Sequence, residues 1–239
     1  MSTPLVLFGP DGEQFSKYTV QRWPLGTRLV LQDGRAYRFA YAGAAALVIG
    51  DVEQGSVTVA NDVGRAGIAA VAGSFAPTLT LGGATTANLY AEGFWHTPVA
   101  NAAATSLGEA LKIDNHLAGT TAVVFNLAAG NPLRFAVDTT SRIALIANPY
   151  KGVIQCVGSE PAVGIAVSTV AINGYGWLQT HGLACILTHG TVVTGQPVAW
   201  VATAGAVDPT AAVTNTPVGV CRRVAAAGAC SSVELTGFF

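Results

Sequence analysis

The chain has 239 residues, 51% of them apolar and only 10% charged, with a formal net charge of −1 and a mean hydropathy of +0.46. Soluble chains carry roughly 25% charged residues, so part of this surface is expected to be covered by a partner or by further copies of the chain. The few Lys and Arg are scattered, which argues against a basic nucleic-acid-binding face. The apolar runs are interrupted too often by Gly, Thr, Asn and Pro for a spanning helix, so no membrane association is expected.

Residues 1–26 combine Pro4, "GPDGEQ" and "WPLG" with few periodic apolar positions, and read as an extended N-terminal arm. Its large apolar residues Phe8, Phe15, Tyr18 and Trp23 form the candidate interface, placed to reach onto a neighbouring molecule. "PLVLF" is too short for the apolar region of a secretory leader and no basic segment precedes it, so folding in the compartment of synthesis is expected.

From Thr27, "RLVLQDGRAYRFAYAG" reads as a hairpin turning at Asp33 and Gly34. Its second arm alternates Tyr37, Phe39 and Tyr41 with smaller or basic residues, so the aromatics point to a core. "AGAAALVIGDVEQG" suits a short helix or a buried strand or turn equally. "SVTVANDVGRAGIAAVAG" and "APTLTLGGATTANLYAEG" read as short strands between Gly turns. Residues 94–120 are the most helix-tolerant part, with Ser106 a possible cap, although "GEALKIDNH" also fits a strand entered from a Gly turn. "TAVVFNLA", "PLRFAV", "SRIALIANPY" and "GVIQCVG" give four further strands.

No charged residue occurs between Glu160 and Asp208, and this stretch reads as a pair or trio of short strands forming the scaffold of the chain. "PVGVCRRVAAAGACSSVELTG" closes the chain as a hairpin turning at "AAGA". The fold class is therefore all-β: a sandwich or barrel-like body of short strands with an extended arm. The expected division is the arm 1–26, an N-terminal β region 27–105 and a C-terminal barrel-like region 106–239, or one continuous domain 27–239.

Chemistry-bearing residues are sparse. His181 and His189, in "THGLACILTHG", would flank a strand about 26 Å apart at the usual rise, too far to share a metal. Ser141 lies near Asp138 but has no His beside it in sequence. Asp33, Asp51, Glu53, Asp62, Glu92, Glu109 and Asp114 are isolated carboxylates at expected turns. Cys156, Cys185, Cys221 and Cys230 show no CxxC spacing and sit in apolar runs, as buried free thiols do. No catalytic set, cofactor or metal site is expected.

The order of "LGTRLVLQDGRAYRFAYAGAAALVIGDVEQ", "GEALKIDNHLA", "NPLRFAVDTTSRIALIANPYKGVI", "GYGWLQTHGLACILTHGTVVTGQPV" and "TPVGVCRRVAAAGACSSVEL" resembles the capsid decoration, or head-stabilisation, proteins of tailed bacteriophages. The resemblance implies a non-enzymatic virion protein, made in the host cytoplasm and carried on the capsid exterior. Its implied partners are the major capsid protein and its own copies, as a homotrimer. Residues 55–90 carry no matching pattern. A carbohydrate- or receptor-binding β module is the alternative, in which Trp95, Trp177 or Trp200 would stack on sugars.

Overall fold

The computed structural model describes residues 6–99, 108–201, 203, 205–210, 216–236 and 238. Apart from two 3-10 turns, Glu13–Phe15 and Ala60–Asp62, the regular structure of these residues is β. The chain divides into two compact units, one formed by Thr58–Asn148 and the other by Pro4–Val57 together with Pro149–Phe239. The first is thus inserted into the second. The junction expected at 105/106 lies outside the described residues, but the strands on either side of it pair within one sheet. The units are nested because strand pairing, not chain order, gathers each core.

In the inserted unit, strands β5 (Arg65–Ala66), β6 (Thr78–Thr80), β7 (Phe94–Val99), β8 (Glu109–His116), β9 (Ala122–Leu127) and β10 (Arg142–Ile146) form a sheet in the order β5-β10-β7-β8-β9-β6. A bridge between Gly67 and Leu79 brings the two ends of this order together. β8 and β9 alternate: Leu111, Ile113, Val123, Phe125 and Leu127 turn inward, while Ala110, Asp114, Val124 and Asn126 face out. Trp95 and Tyr90 complete that core. The helix-tolerant stretch 94–120 therefore holds β7 and β8 and no helix among its described residues, and Ser106 falls outside them. "PLRFAV" is no strand: Leu133 and Val137 are buried, but Phe135, which a strand would place on the same face, is exposed. Pro132 also lacks the N–H that a ladder needs.

The second unit is organised on β13 (Tyr175–Leu187), which with β14 (Pro197–Trp200) makes up the strands of residues 174–200 and is longer than the short strands expected. Its first half pairs with β3 (Ala36–Tyr41) and its second half with β17 (Cys230–Leu235). The changeover is a bulge: the register shifts between Gln179 and His181, and Gly182 takes a φ of +83°, open to glycine at no steric cost. A residue that reads as a strand breaker thus re-aims one strand from one core to the next.

Each half of β13 belongs to a circuit of strands. From the first half, β12 (Ala162–Ala166) pairs with β4 (Val52–Gln54), β4 pairs with β11 (Ile154–Gln155), and a bridge between Val153 and Ala42 returns to the end of β3. Phe39 stands opposite Trp177 here, and Ala36, Tyr37, Phe39 and Ala40 are all buried, so both faces of β3 are covered. From the second half, β17 pairs with β16 (Pro217–Cys221), β16 with β14 (Pro197–Trp200), and β14 with β15 (Val207–Pro209). A bridge from Val207 to Thr188 closes this circuit around Ile186, Val192, Val198, Val218 and Val233. The β16–β17 hairpin turns at "AAGA" as its sequence indicates, with Ala229 N–H donating to Ala226 C=O at 3.1 Å.

The body is thus all-β and barrel-like. Residues 6–26 alternate short extended pieces with turns and the 3-10 turn Glu13–Phe15, and they lie against their own unit. β1 (Val6–Phe8) pairs in parallel with β2 (Arg28–Val30), which is the first arm of the Asp33–Gly34 hairpin.

Candidate binding surface

The four candidate interface residues separate into two kinds. Tyr18 and Trp23 belong to this chain's own core. Tyr18 and Tyr175 exchange backbone hydrogen bonds of 2.9 and 2.8 Å, and the Tyr18 hydroxyl donates to Glu13 Oε1 at 2.7 Å. The Trp23 ring lies 5.3 Å from Phe39 and 5.2 Å from Trp177, centroid to centroid. The Arg22 guanidinium covers both, 5.3 Å from the Tyr18 ring and 5.9 Å from Trp23. These two side chains fill the uncovered face of β3 and β13, which is why the segment carrying them does not stand free.

Phe8 and Phe15 remain at the surface, with exposures of 84% and 52%. Phe15 forms one wall of a pocket of about 320 Å³ whose other walls include Ile49, Leu183, Tyr37, Gln179 and Cys185. Ile49 and Leu183 are themselves about half exposed or more. Sequence reasoning assigned neither. The clue for Leu183 was present, because Ala184 and Ile186 turn into the core and the alternate residues must face out.

The chemistry-bearing residues resolve into structural roles. His116 is buried, accepting from Tyr90 N–H through Nε2 at 3.0 Å and donating from Nδ1 to Leu117 C=O at 2.9 Å. Both ring nitrogens are therefore used by the backbone and the ring is neutral. The Tyr90 hydroxyl donates to Asp62 at 2.5 Å, and burial together with that carboxylate pushes the phenol far above its ordinary range. His181 is exposed within β13. His189 contacts Asp208 at 2.8 Å, and Asp208 also accepts from Gly190 N–H, pinning the turn after β13. Asp138 accepts from Thr140 and Ser141, which holds its carboxyl below the usual range and makes the Ser–Asp pair a turn.

One carboxylate pair does come together. Glu53, at the centre of β4, is fully buried with neither carboxyl oxygen hydrogen-bonded. Burial first, and then the neighbouring Asp51, push its carboxyl up to about 8. Burial also raises Asp51, which accepts from Gln155 at 2.6 Å. Neither acid lines the pocket beside Phe15. Among the described residues, no group of three or more His, Cys, Asp and Glu gathers at metal-binding distance, and no helix is long and apolar enough to cross a membrane.

All four cysteines are free: Cys156 and Cys221 are buried as expected, whereas Cys185 and Cys230 are exposed, because the alternation of β13 and β17 turns them outward. Trp95 and Trp177 are closed to any sugar, at 0% and 1% exposure. Trp200 alone of the three is half-buried, beside a pocket of about 300 Å³ that Ser159, Glu160 and Thr216 help to line. Comparison with protein-family models, with curated proteins and with solved structures finds no match.

Proposed function

We propose that this protein is a structural component of a tailed-phage virion, binding the outside of the capsid and stabilising the closed shell as a decoration protein. The observation that carries the reading is the set of large apolar side chains left standing on the second unit, Phe8, Phe15, Ile49 and Leu183 among them, on a chain only 10% charged. Scattered single hydrophobics are ordinary, but several beside a shallow pocket suit a partner surface. The resemblance of the sequence to phage decoration proteins implies the partner, the major capsid protein, with further copies of the chain alongside as a trimer. The mechanism is linkage: a ligand that binds only the closed lattice stabilises it, and repetition over many equivalent positions multiplies a modest contact.

The test is binding to undecorated capsid shells, followed by cryo-electron microscopy of the decorated particle. Density for the chain on the outer surface supports the reading, whereas density confined to the head interior or the tail overturns it. Phe8→Ser with Phe15→Ser should weaken binding at least tenfold without unfolding the protein. A glycan-binding module is the second reading, and Trp200 is the observation that favours it. A glycan array that lights up for the wild type and fails for Trp200→Ala would establish it.

A further inference from the structure

Cys185 lies in the second half of β13 and Cys230 opens β17. In the antiparallel ladder joining these strands, Cys185 stands opposite Ser232 and Cys230 opposite Leu187, which makes the two cysteines diagonal neighbours on one face. That face points outward, since both residues are exposed while Ala184 and Ile186 turn into the core. The pair is bordered by Gly50, where an added methyl would stand 3.6 Å from Cys230 Sγ.

We propose that Cys185 and Cys230 are a reversible disulfide-forming site, closed by a low-molecular-weight disulfide such as oxidised glutathione. Cys185 thiolate attacks one glutathione sulfur, forming a mixed disulfide, and the departing glutathione thiolate takes up the proton that Cys185 lost. Cys230 thiolate then attacks the Cys185 sulfur and expels the second glutathione thiolate, which takes up the proton from Cys230. Two protein thiols are oxidised by two electrons and one glutathione disulfide is reduced to two thiols. Burial and the neighbouring Cys230 hold the Cys185 thiol above its ordinary value, against the charge of Arg223, so the site needs a disulfide donor and time rather than closing at once.

Diagonal partners in a flat ladder lie about 7–8 Å apart at Cα, somewhat beyond the usual disulfide span. Closure therefore requires a local shift of the β13 and β17 backbones, and the strained bond that results is one that reducing agents reopen easily. Because β14, β15 and β16 all lie between residues 187 and 230 in sequence, the bond would tie off the whole second circuit as one loop.

The experiment uses the full-length native protein and needs no capsid, so its outcome is independent of the virion reading. The protein is incubated with oxidised glutathione, and intact mass, peptide maps and native iodoacetamide labelling are recorded. The expected result is a loss of two hydrogens per chain, a peptide joining residues 185 and 230, two labelled thiols before oxidation and none after, and full reversal by dithiothreitol. Cys185→Ser and Cys230→Ser should each retain one bound glutathione, having no second thiol to expel it. Wild-type protein that keeps its glutathione, keeps both thiols free or links only to another chain overturns the proposal.

Discussion

Replacing Glu53 by Gln should flatten the dependence of stability on pH. The carboxyl is fully buried with neither oxygen in a well-aligned hydrogen bond, and burial and Asp51, opposed by the nearby Val48 N–H, give it a folded-state value of about 8 against an ordinary 4.5. Below pH 4.5 the acid is protonated in both folded and unfolded chains and carries no ionisation cost. Above that, the unfolded chain releases the proton while the folded chain keeps it, so stability falls by about 1.4 kcal/mol per pH unit. The loss continues until the folded group also ionises near pH 8, giving about 3 kcal/mol at neutral pH and about 5 kcal/mol in full. At about 3 °C per kcal/mol for a unit of this size, the wild-type melting temperature should drop by roughly 12 °C between pH 5 and pH 8 from this group alone. Gln is of similar size and never ionises. Its buried amide costs on the order of 1–3 kcal/mol at every pH, as the buried neutral carboxyl does, so the two stability curves should lie close together near pH 4.5 and separate as pH rises, with the variant the more stable at pH 8. Asp51 remains in both proteins, and because its charge helps to raise Glu53, the difference between the curves reports Glu53 together with its coupling to Asp51. Calorimetric melts of both proteins across this range provide the assay, and parallel curves would show that Glu53 is solvated or paired in solution and refute the reasoning.

Trp23→Ala should destabilise the unit holding β13 by about 2–4 kcal/mol, since it empties an aromatic contact with Phe39 and Trp177. Phe8→Ala, at an exposed position, should change stability by no more than about 0.5 kcal/mol, and chemical denaturation compares the two. His116→Leu should cost about 2–4 kcal/mol, because it strands the Tyr90 N–H and the Leu117 carbonyl; the loss should appear as earlier exchange of inserted-unit amides, measured by hydrogen exchange with mass spectrometry. Acrylamide should quench Trp200 and Trp23 and spare Trp95 and Trp177, which single-tryptophan variants will resolve.

Local features were legible in the sequence because local chemistry decides them. The Asp33–Gly34 hairpin follows from a turn residue between alternating arms, and the "AAGA" turn from a glycine that takes a positive φ. The scaffold role of the charge-free stretch was also legible, but its continuity was not: Gly182 reads as a stop, and only pairing with β3 on one side and β17 on the other shows it to be a bulge. The nested insertion was hidden for the same reason, since β3 finds β13 across more than a hundred residues. Among the candidate interface residues, composition could not separate Phe8 from Tyr18. That distinction rests on Tyr18 bridging Tyr175, a long-range contact with no local trace.

The nested arrangement sets an order on how this chain acquires structure during synthesis. β3 leaves the ribosome early, yet its partner β13 is made only after Thr58–Asn148 is complete. The inserted unit holds all the strands of its own sheet and has its β7–β8 and β8–β9 ladders between sequence neighbours, so it is able to fold while the first 57 residues wait. During that interval Tyr37, Phe39, Tyr18 and Trp23 have no β13 to cover them, and this exposed aromatic face is aggregation-prone. Slow translation past residue 148 should lower the yield of native protein, and faster supply of the last 91 residues should restore it.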